Sequence, residues 1–214
     1  MLLRLLYNLV KEVKYMIQLN KEGAPMTRVI LISGKQGSGK TTLSHNLTEL
    51  LFIDGFKPVN VKFADVLYEM HDSVWNIMKK YGQERKTKKD GPLLQLLGTE
   101  WGRGTQGENI WVNIAKYRTQ KLLEDPKTIV IIDDCRFPNE LAAFPQAYKI
   151  RLEASAELRK ERCEAWRDND SHPSETSLDD STGFDKIYNA AEKTSLEIAD
   201  EVSKVFSLMM TFNK

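Results

Sequence analysis

Apolar residues in this chain fall into short continuous runs, separated by longer stretches in which they recur every three or four positions. "VILI" (residues 29–32) and "IVII" (residues 129–132) are unbroken apolar runs bounded by polar residues. Such runs fit strands buried on both faces of a sheet. "KPVNVKF", "AYKIRL" and "FDKIYN" read as three further strands. Helical spacing appears in "TTLSHNLTELLF", "ADVLYEMHDSVWNIMKKYG", "NIWVNIAKYRTQKLLED" and "AEKTSLEIADEVSKVFSLMM". "PLLQLLGTEWGR" reads as a helix opened by Pro92, which suits a first helical position. "FPNELAAF" and the arginine-rich "SAELRKERCEAWRD" read as helices too, whereas "QERKTKKDG" and "NDSHPSETSLDDSTG" read as polar loops.

Strands alternating with helices predict an α/β fold, a five-stranded parallel sheet with helices on both faces. Residues 65–124 are too many for one crossover and read as a helical insert. Residues 155–182 read as a second insert. The core of a single domain, 27–214, is then 27–64, 125–154 and 183–214.

The first 26 residues stand apart. Leu2, Leu6, Leu9, Val13 and Met16 make a helical stripe. Arg4, Lys11, Glu12 and Lys14 make the segment too charged to span a bilayer, and it lacks the pattern of a secretory signal. It reads as an amphipathic extension docked on its own domain or a partner, with membrane-surface binding or poor order as alternatives.

Composition narrows the class. A chain of 214 residues with 41% hydrophobic and 29% charged content is globular. A net charge of +1 argues against a dedicated binder of polymeric nucleic acid. Cys135 and Cys163 lack metal-ligand spacing and read as free thiols of a reducing cytoplasm.

The strongest chemical signal follows the first strand. "GKQGSGKTT" matches G-x-x-x-x-G-K-[ST], a P-loop, with a strand before it and a helix after it. Gly34, Gln36, Gly37, Ser38 and Gly39 would wrap a phosphate chain with backbone N–H groups. Lys40 would reach the β- and γ-phosphates, and the Thr41 hydroxyl, next to Thr42, would ligate Mg²⁺ held with ATP. Asp133 and Asp134 end the buried strand "IVIIDD", where a metal-side carboxylate belongs in a P-loop NTPase. Strand alternation sends these two to opposite faces, so only one can point at Mg²⁺. Arg103, Arg136, Arg159, Arg162 and Arg167 fall in the inserts or at the sheet edge. Phosphoryl transfer between two phosphates needs such cations, alignment and exclusion of water, and no general base.

"LLQLLGTEWGR", "DDCRFPNE", "SHPSE" and "FDKIYNAAEKTSLEI" resemble, in order and spacing, the bacteriophage deoxynucleoside monophosphate kinases over residues 27–210. The resemblance implies an ATP-dependent kinase acting on a (d)NMP, with an NMP-binding insert and a lid. It places Gln95, Thr99 and Arg103 at the monophosphate site, Arg136 on the acceptor phosphate, and Asp65 near the acceptor nucleoside. It assigns Arg159, Arg162 and Arg167 to the lid over ATP and Asn189 to the neighbourhood of the ATP base. It favours Asp134 over Asp133 as the metal-side carboxylate, although the adjacent pair departs from the family's single aspartate. Trp101 and Trp111 could stack on a base, core packing being the plainer reading. His172 could donate to a phosphate, or anchor the lid with Glu175 orienting an arginine. Lys86, Lys88 and Lys89 read as a solvated loop that could help to attract an anion. No stable membrane insertion is expected, and a homodimer is compatible with the sequence. The rival readings are a kinase of another small phosphorylated acceptor, akin to phosphomevalonate or dephospho-coenzyme A kinases, and a nucleotide-dependent switch or assembly ATPase.

Overall fold

The computed structural model describes residues 28–87, 89–163, 166 and 171–212. The extension 1–26, Lys88 and Arg167 lie outside the described residues. The sheet is built from β1 (Val29–Gly34), β2 (Lys57–Asn60), β3 (Thr128–Cys135), β4 (Tyr148–Glu153) and β5 (Lys186–Asn189). All four pairings are parallel, and the order is β2-β3-β1-β4-β5. The central strand β1 is buried throughout its length, as its unbroken apolar run requires.

The two-residue period of the strands divides the core in two. Ile30, Ile32, Ile129 and Ile131 face α1 (Lys40–Ile53) and the closing helix, and pack on Leu43, Leu47, Ile198, Val202 and Phe206. Val29, Leu31, Val130 and Ile132 face the other way, onto Val112, Ala115, Phe63 and Phe144.

The insert begins with α2 (Asp65–Lys80), then α3 (Gly91–Gln95), and returns along α4 (Ile110–Leu122). Pro92 does sit in the first turn of α3, whose Asp90 cap accepts from Leu93 N at 3.1 Å. The buried His71 ties the polar loop down, its Nε2 accepting from Asp90 N at 3.1 Å. The helix read over "PLLQLLGTEWGR" is α-helical over Gly91–Gln95 and continues as a π-helix over Leu96–Gln106. Its glycines permit close packing: a Cβ at Gly98 would meet Leu67 at 3.0 Å, and one at Gly102 would meet the Trp111 ring at 2.4 Å. Beyond the core strand β3 come α5 (Pro138–Ala142), α6 (Ala156–Arg162), α7 (Pro173–Thr176) and α8 (Ser195–Phe212). The segment read as the polar loop "NDSHPSETSLDDSTG" thus contains a short helix, started by Pro173 and capped by the His172 side chain. No helix among the described residues is long and apolar enough to cross a membrane.

Candidate active site

The loop after β1 takes its shape from glycines in conformations that side chains resist. Gly37 has φ +76°, and a Cβ there would stand 2.4 Å from the Arg159 carbonyl oxygen. Gly39 has φ +97° and forms the N-cap of α1, with no side-chain cap hydrogen bond among the described residues. An uncapped helix N-terminus of this kind offers its donors and its dipole to an anion. Lys40 Nζ donates to the carbonyls of Gly34 (2.7 Å) and Lys35 (2.9 Å). Burial, and next the Arg136 charge, pull its pKa down to about 7. Thr41 and Thr42 are exposed beside it, and Ser38 is buried in the loop's interior.

Beside this loop β3 carries a bulge. Leu31 pairs with Ile132 but Ser33 with Cys135, so β3 spends one extra residue at its aspartates. Asp133 continues the Ile129–Ile131 side, toward α1, and its charge acts on Lys40. It is 5% exposed, and its Oδ1 pairs with Lys62 Nζ at 2.8 Å. Asp134 turns to the other side. Its two oxygens accept from Phe63 N (3.0 Å) and Ala64 N (3.1 Å), and burial pushes its pKa up to about 6. Asp134 is committed to two amides, and Asp133 is the carboxylate whose charge acts on Lys40. Asp133 Oδ1, paired with Lys62, and the exposed Thr41 hydroxyl next to Lys40 are oxygens of the kind that Mg²⁺ takes.

On the far side of Asp134 opens a cavity of about 750 Å³ between the sheet edge and the insert. Asp65, Thr99, Arg103, Trp111, Arg136 and His172 all line it, together with Lys62, Tyr68, Asp134 and Glu140. Arg103 and Thr99 come from the π-helical segment, Arg136 follows β3, and His172 precedes α7. Arg103 lies over the Phe137 ring, 4.4 Å from its centroid, and 3.6 Å from Glu140 Oε1. Asp65 accepts from Lys62 N (2.9 Å) and from Arg118 Nη1 (3.2 Å). Trp111 is a packing residue whose Nε1 donates to Gly98 O at 2.9 Å, so core packing and a place in the cavity wall coincide. Gln95 is exposed at the end of α3 and does not line the cavity.

Glu175 takes neither side of the cavity. Only 3% of its side chain is exposed; Oε2 accepts from the P-loop amide Gln36 N at 2.6 Å, and Oε1 pairs with Arg136 Nη1. It is therefore a bridge between the P-loop and Arg136. His172 caps α7, its Nδ1 accepting from Ser174 N at 3.2 Å. A parallel link joins Lys35 Nζ to Asp179 at 2.8 Å and Asp179 to the buried Arg151 at 2.8 Å.

The donor-side arginines divide. Arg159 is 4% exposed and donates to Gln36 O (3.2 Å) and Ala154 O (3.3 Å), so it supports the P-loop backbone. Arg162 is exposed and reaches Ala190 O at 3.1 Å, just past β5. Asn189, with Lys35, Arg151 and Arg159, lines a second cleft of about 510 Å³; its own side chain holds Ala191 N (3.0 Å) and Glu192 (2.8 Å).

Two residues escaped the sequence reading. Glu140 is buried in the cavity wall, and burial lifts its pKa to about 7. Lys62 faces Asp133. "RFPNE" contained Glu140, but an N-terminal helical glutamate reads as a solvent-facing cap, and nothing local revealed its burial.

A parallel sheet in this strand order, with the phosphate-binding loop after its central strand, is an α/β P-loop kinase fold. The chain belongs to the AAA domain family, which matches residues 30–182. Among solved structures it is similar to shikimate kinase from Aquifex aeolicus vf5, at 16% identity and a TM-score of 0.45, covering 86% of this chain and 98% of that one. It is similar to shikimate kinase from Acinetobacter baumannii in complex with shikimate, at 14% identity and 0.45, covering 86% and 93%. A sugar kinase from Janibacter sp. HTCC2649 aligns at 16% identity and 0.46, covering 84% and 98%. No match is found among curated proteins.

Proposed function

We propose that this protein is an ATP-dependent deoxynucleoside monophosphate kinase, moving the ATP γ-phosphoryl group to a (d)NMP to give the diphosphate. The observation that carries the reading is the cavity on the acceptor side of Lys40, which sets Arg103 and Arg136 in one wall with Tyr68 and Trp111. Two guanidinium groups suit a phosphate, and aromatic walls suit a base. Of the carboxylates that line this cavity, Asp134 accepts from Phe63 N and Ala64 N, Glu140 from Arg136 N and Phe137 N, and Asp65 is held through Oδ2 alone by Lys62 N and Arg118. An anionic phosphate oxygen needs no base. The two cavity arginines, more than any carboxylate, therefore favour a phosphorylated acceptor.

In this reading the chain's own residues align two anions and exclude water. The P-loop amides and Lys40 hold the donor phosphates, Lys40 follows the transferring group, and Arg136 draws the acceptor phosphate toward it. Glu175 keeps Arg136 in register with the P-loop. Mg²⁺, when bound with ATP, neutralises charge on the phosphates, and Thr41 with Asp133 would hold it. ATP and a small acceptor suffice as partners, and a cytoplasmic location follows from that role. A coupled assay of every dNMP and NMP with ATP tests the reading. Phosphorylation confined to a non-nucleotide phosphate would move it to another small-acceptor kinase, and ATP hydrolysis indifferent to all acceptors would move it to a nucleotide switch.

A further inference from the structure

Glu140 stands three residues into α5 and accepts from Phe137 N at 3.1 Å, which is the ordinary work of a capping glutamate. A cap needs no burial, yet Glu140 is 4% exposed. The same Oε2 also accepts from Arg136 N at 2.7 Å, and Oε1 faces Arg103 Nη2 at 3.6 Å across the cavity. Arg103 comes from the π-helical segment, a different part of the chain, and its guanidinium rests on the Phe137 ring. One carboxylate thus touches both acceptor-side arginines, one through its backbone and the other through its side chain. Sequestering a carboxylate costs more than a helix cap returns, so the burial points to the arginines.

We propose that Glu140 is a positioning residue that locks Arg103 and the Arg136–Phe137 backbone into one anion-receiving unit, giving up ground-state attraction for orientation. This rests on the phosphate-acceptor reading above. The carboxylate offsets part of the arginine charge, so it does not tighten binding of an anion by attraction. Its return is alignment, which appears in kcat and not in KM. The charged and titratable groups that face it are Arg103 from the insert, and Arg136, Asp134 and the Cys135 thiol from β3 and its end. Burial raises the Glu140 pKa to about 7, with the neighbouring Asp134 charge adding to it. The lock is therefore set above that pH and released as pH falls through it.

The test compares wild type, Glu140→Gln and Glu140→Asp, with melting temperatures confirming the fold. Gln keeps an oxygen for the two amides and loses the charge. The expected result for Glu140→Gln is kcat down about tenfold, acceptor KM unchanged or lower, and loss of the acid limb of kcat that wild type shows at pH 7 or above. Glu140→Asp keeps the limb. Wild-type kcat in Glu140→Gln, or the same limb in all three proteins, overturns the proposal. A second readout needs no acceptor. The Arg103 Nε–H resonance, assigned through Arg103→Lys, should titrate near pH 7 in wild type and not in Glu140→Gln. If no (d)NMP is phosphorylated, the functional reading fails while this titration still decides the role of Glu140; an Arg103 signal that does not titrate in wild type overturns it.

Discussion

The donor loop and the acceptor cavity are built on opposite plans. The loop is nine consecutive residues whose shape is set by backbone: three glycines, a helix start, and one lysine folded back onto the Gly34 and Lys35 carbonyls. The cavity is drawn from the β2–α2 connection, the π-helical segment, the end of β3, α5 and the turn before α7. It is held by side-chain links such as Glu175 to Arg136 and Glu140 to Arg103. A contiguous device tolerates little change at any position, because each residue supplies backbone geometry. An assembled device spreads its function over many contacts and separates substrate effects from stability effects.

The sharpest way to break the comparison is at its centre. Lys40→Ala should lower turnover by about 10²–10³-fold with an unchanged circular dichroism spectrum, since it removes charge stabilisation from the transferring group. A folded variant with near-normal turnover would remove the P-loop from the chemistry.

Next comes a pair within the cavity wall. Arg136→Ala should raise acceptor KM or lower kcat about 10- to 100-fold, a loss of roughly 1.5–3 kcal/mol. It should also destabilise by about 3 kcal/mol, because it strands the buried Glu175 carboxylate. Arg103→Ala should match the kinetic loss but cost less stability than Arg136→Ala, since its ion pair is long and the buried Glu140 keeps the Arg136 and Phe137 amides. Urea titration beside separate ATP and dNMP kinetics checks both halves; equal stability losses would mean that Glu175 does not depend on Arg136.

A third contrast uses glycines. Gly37→Ala combines φ +76° with a clash at 2.4 Å against the Arg159 backbone, so ATP affinity and stability should both fall, the latter by roughly 1–3 kcal/mol or more. Gly55→Ala has φ +86° with open space around it and should show only the smaller backbone cost, with ATP kinetics unchanged. Fluorescent-nucleotide titration and thermal melts separate them.

The smallest effect is protonic. Lys40 is held near pKa 7 by burial and the Arg136 charge, and phosphates bound beside it should raise that value. Nucleotide binding should therefore take up a proton above pH 7, and affinity for a non-hydrolysable ATP analogue should weaken as pH rises, by at most about tenfold per pH unit. Calorimetry in buffers of different ionisation enthalpy measures the uptake. Lys40→Met should abolish it, and an uptake that survives in that variant belongs to another group.

How much was legible follows the same division. The five strands and the main helices could be read because burial on two faces demands unbroken apolar runs and burial on one face demands helical spacing. "GKQGSGKTT" could be read because its chemistry lies in adjacent residues. The π-helical form of Leu96–Gln106 could not, nor could the close approach of Leu67 and Trp111 to Gly98 and Gly102, since both lie elsewhere in the chain. The choice between Asp133 and Asp134 could not either. Strand alternation correctly separated the two, but the β3 bulge and the Phe63 and Ala64 amides determine which of them is engaged. By itself, then, the sequence determined the parallel sheet, the phosphate loop and the supply of arginines, all properties of local pattern and residue type. Only the tertiary structure decided that Glu175 bridges P-loop to Arg136, that Arg159 is buried under the loop, and that Glu140 is sequestered beside Arg103. Burial and charge pairing depend on what the rest of the chain brings within a few ångströms, and no spacing along the chain encodes that.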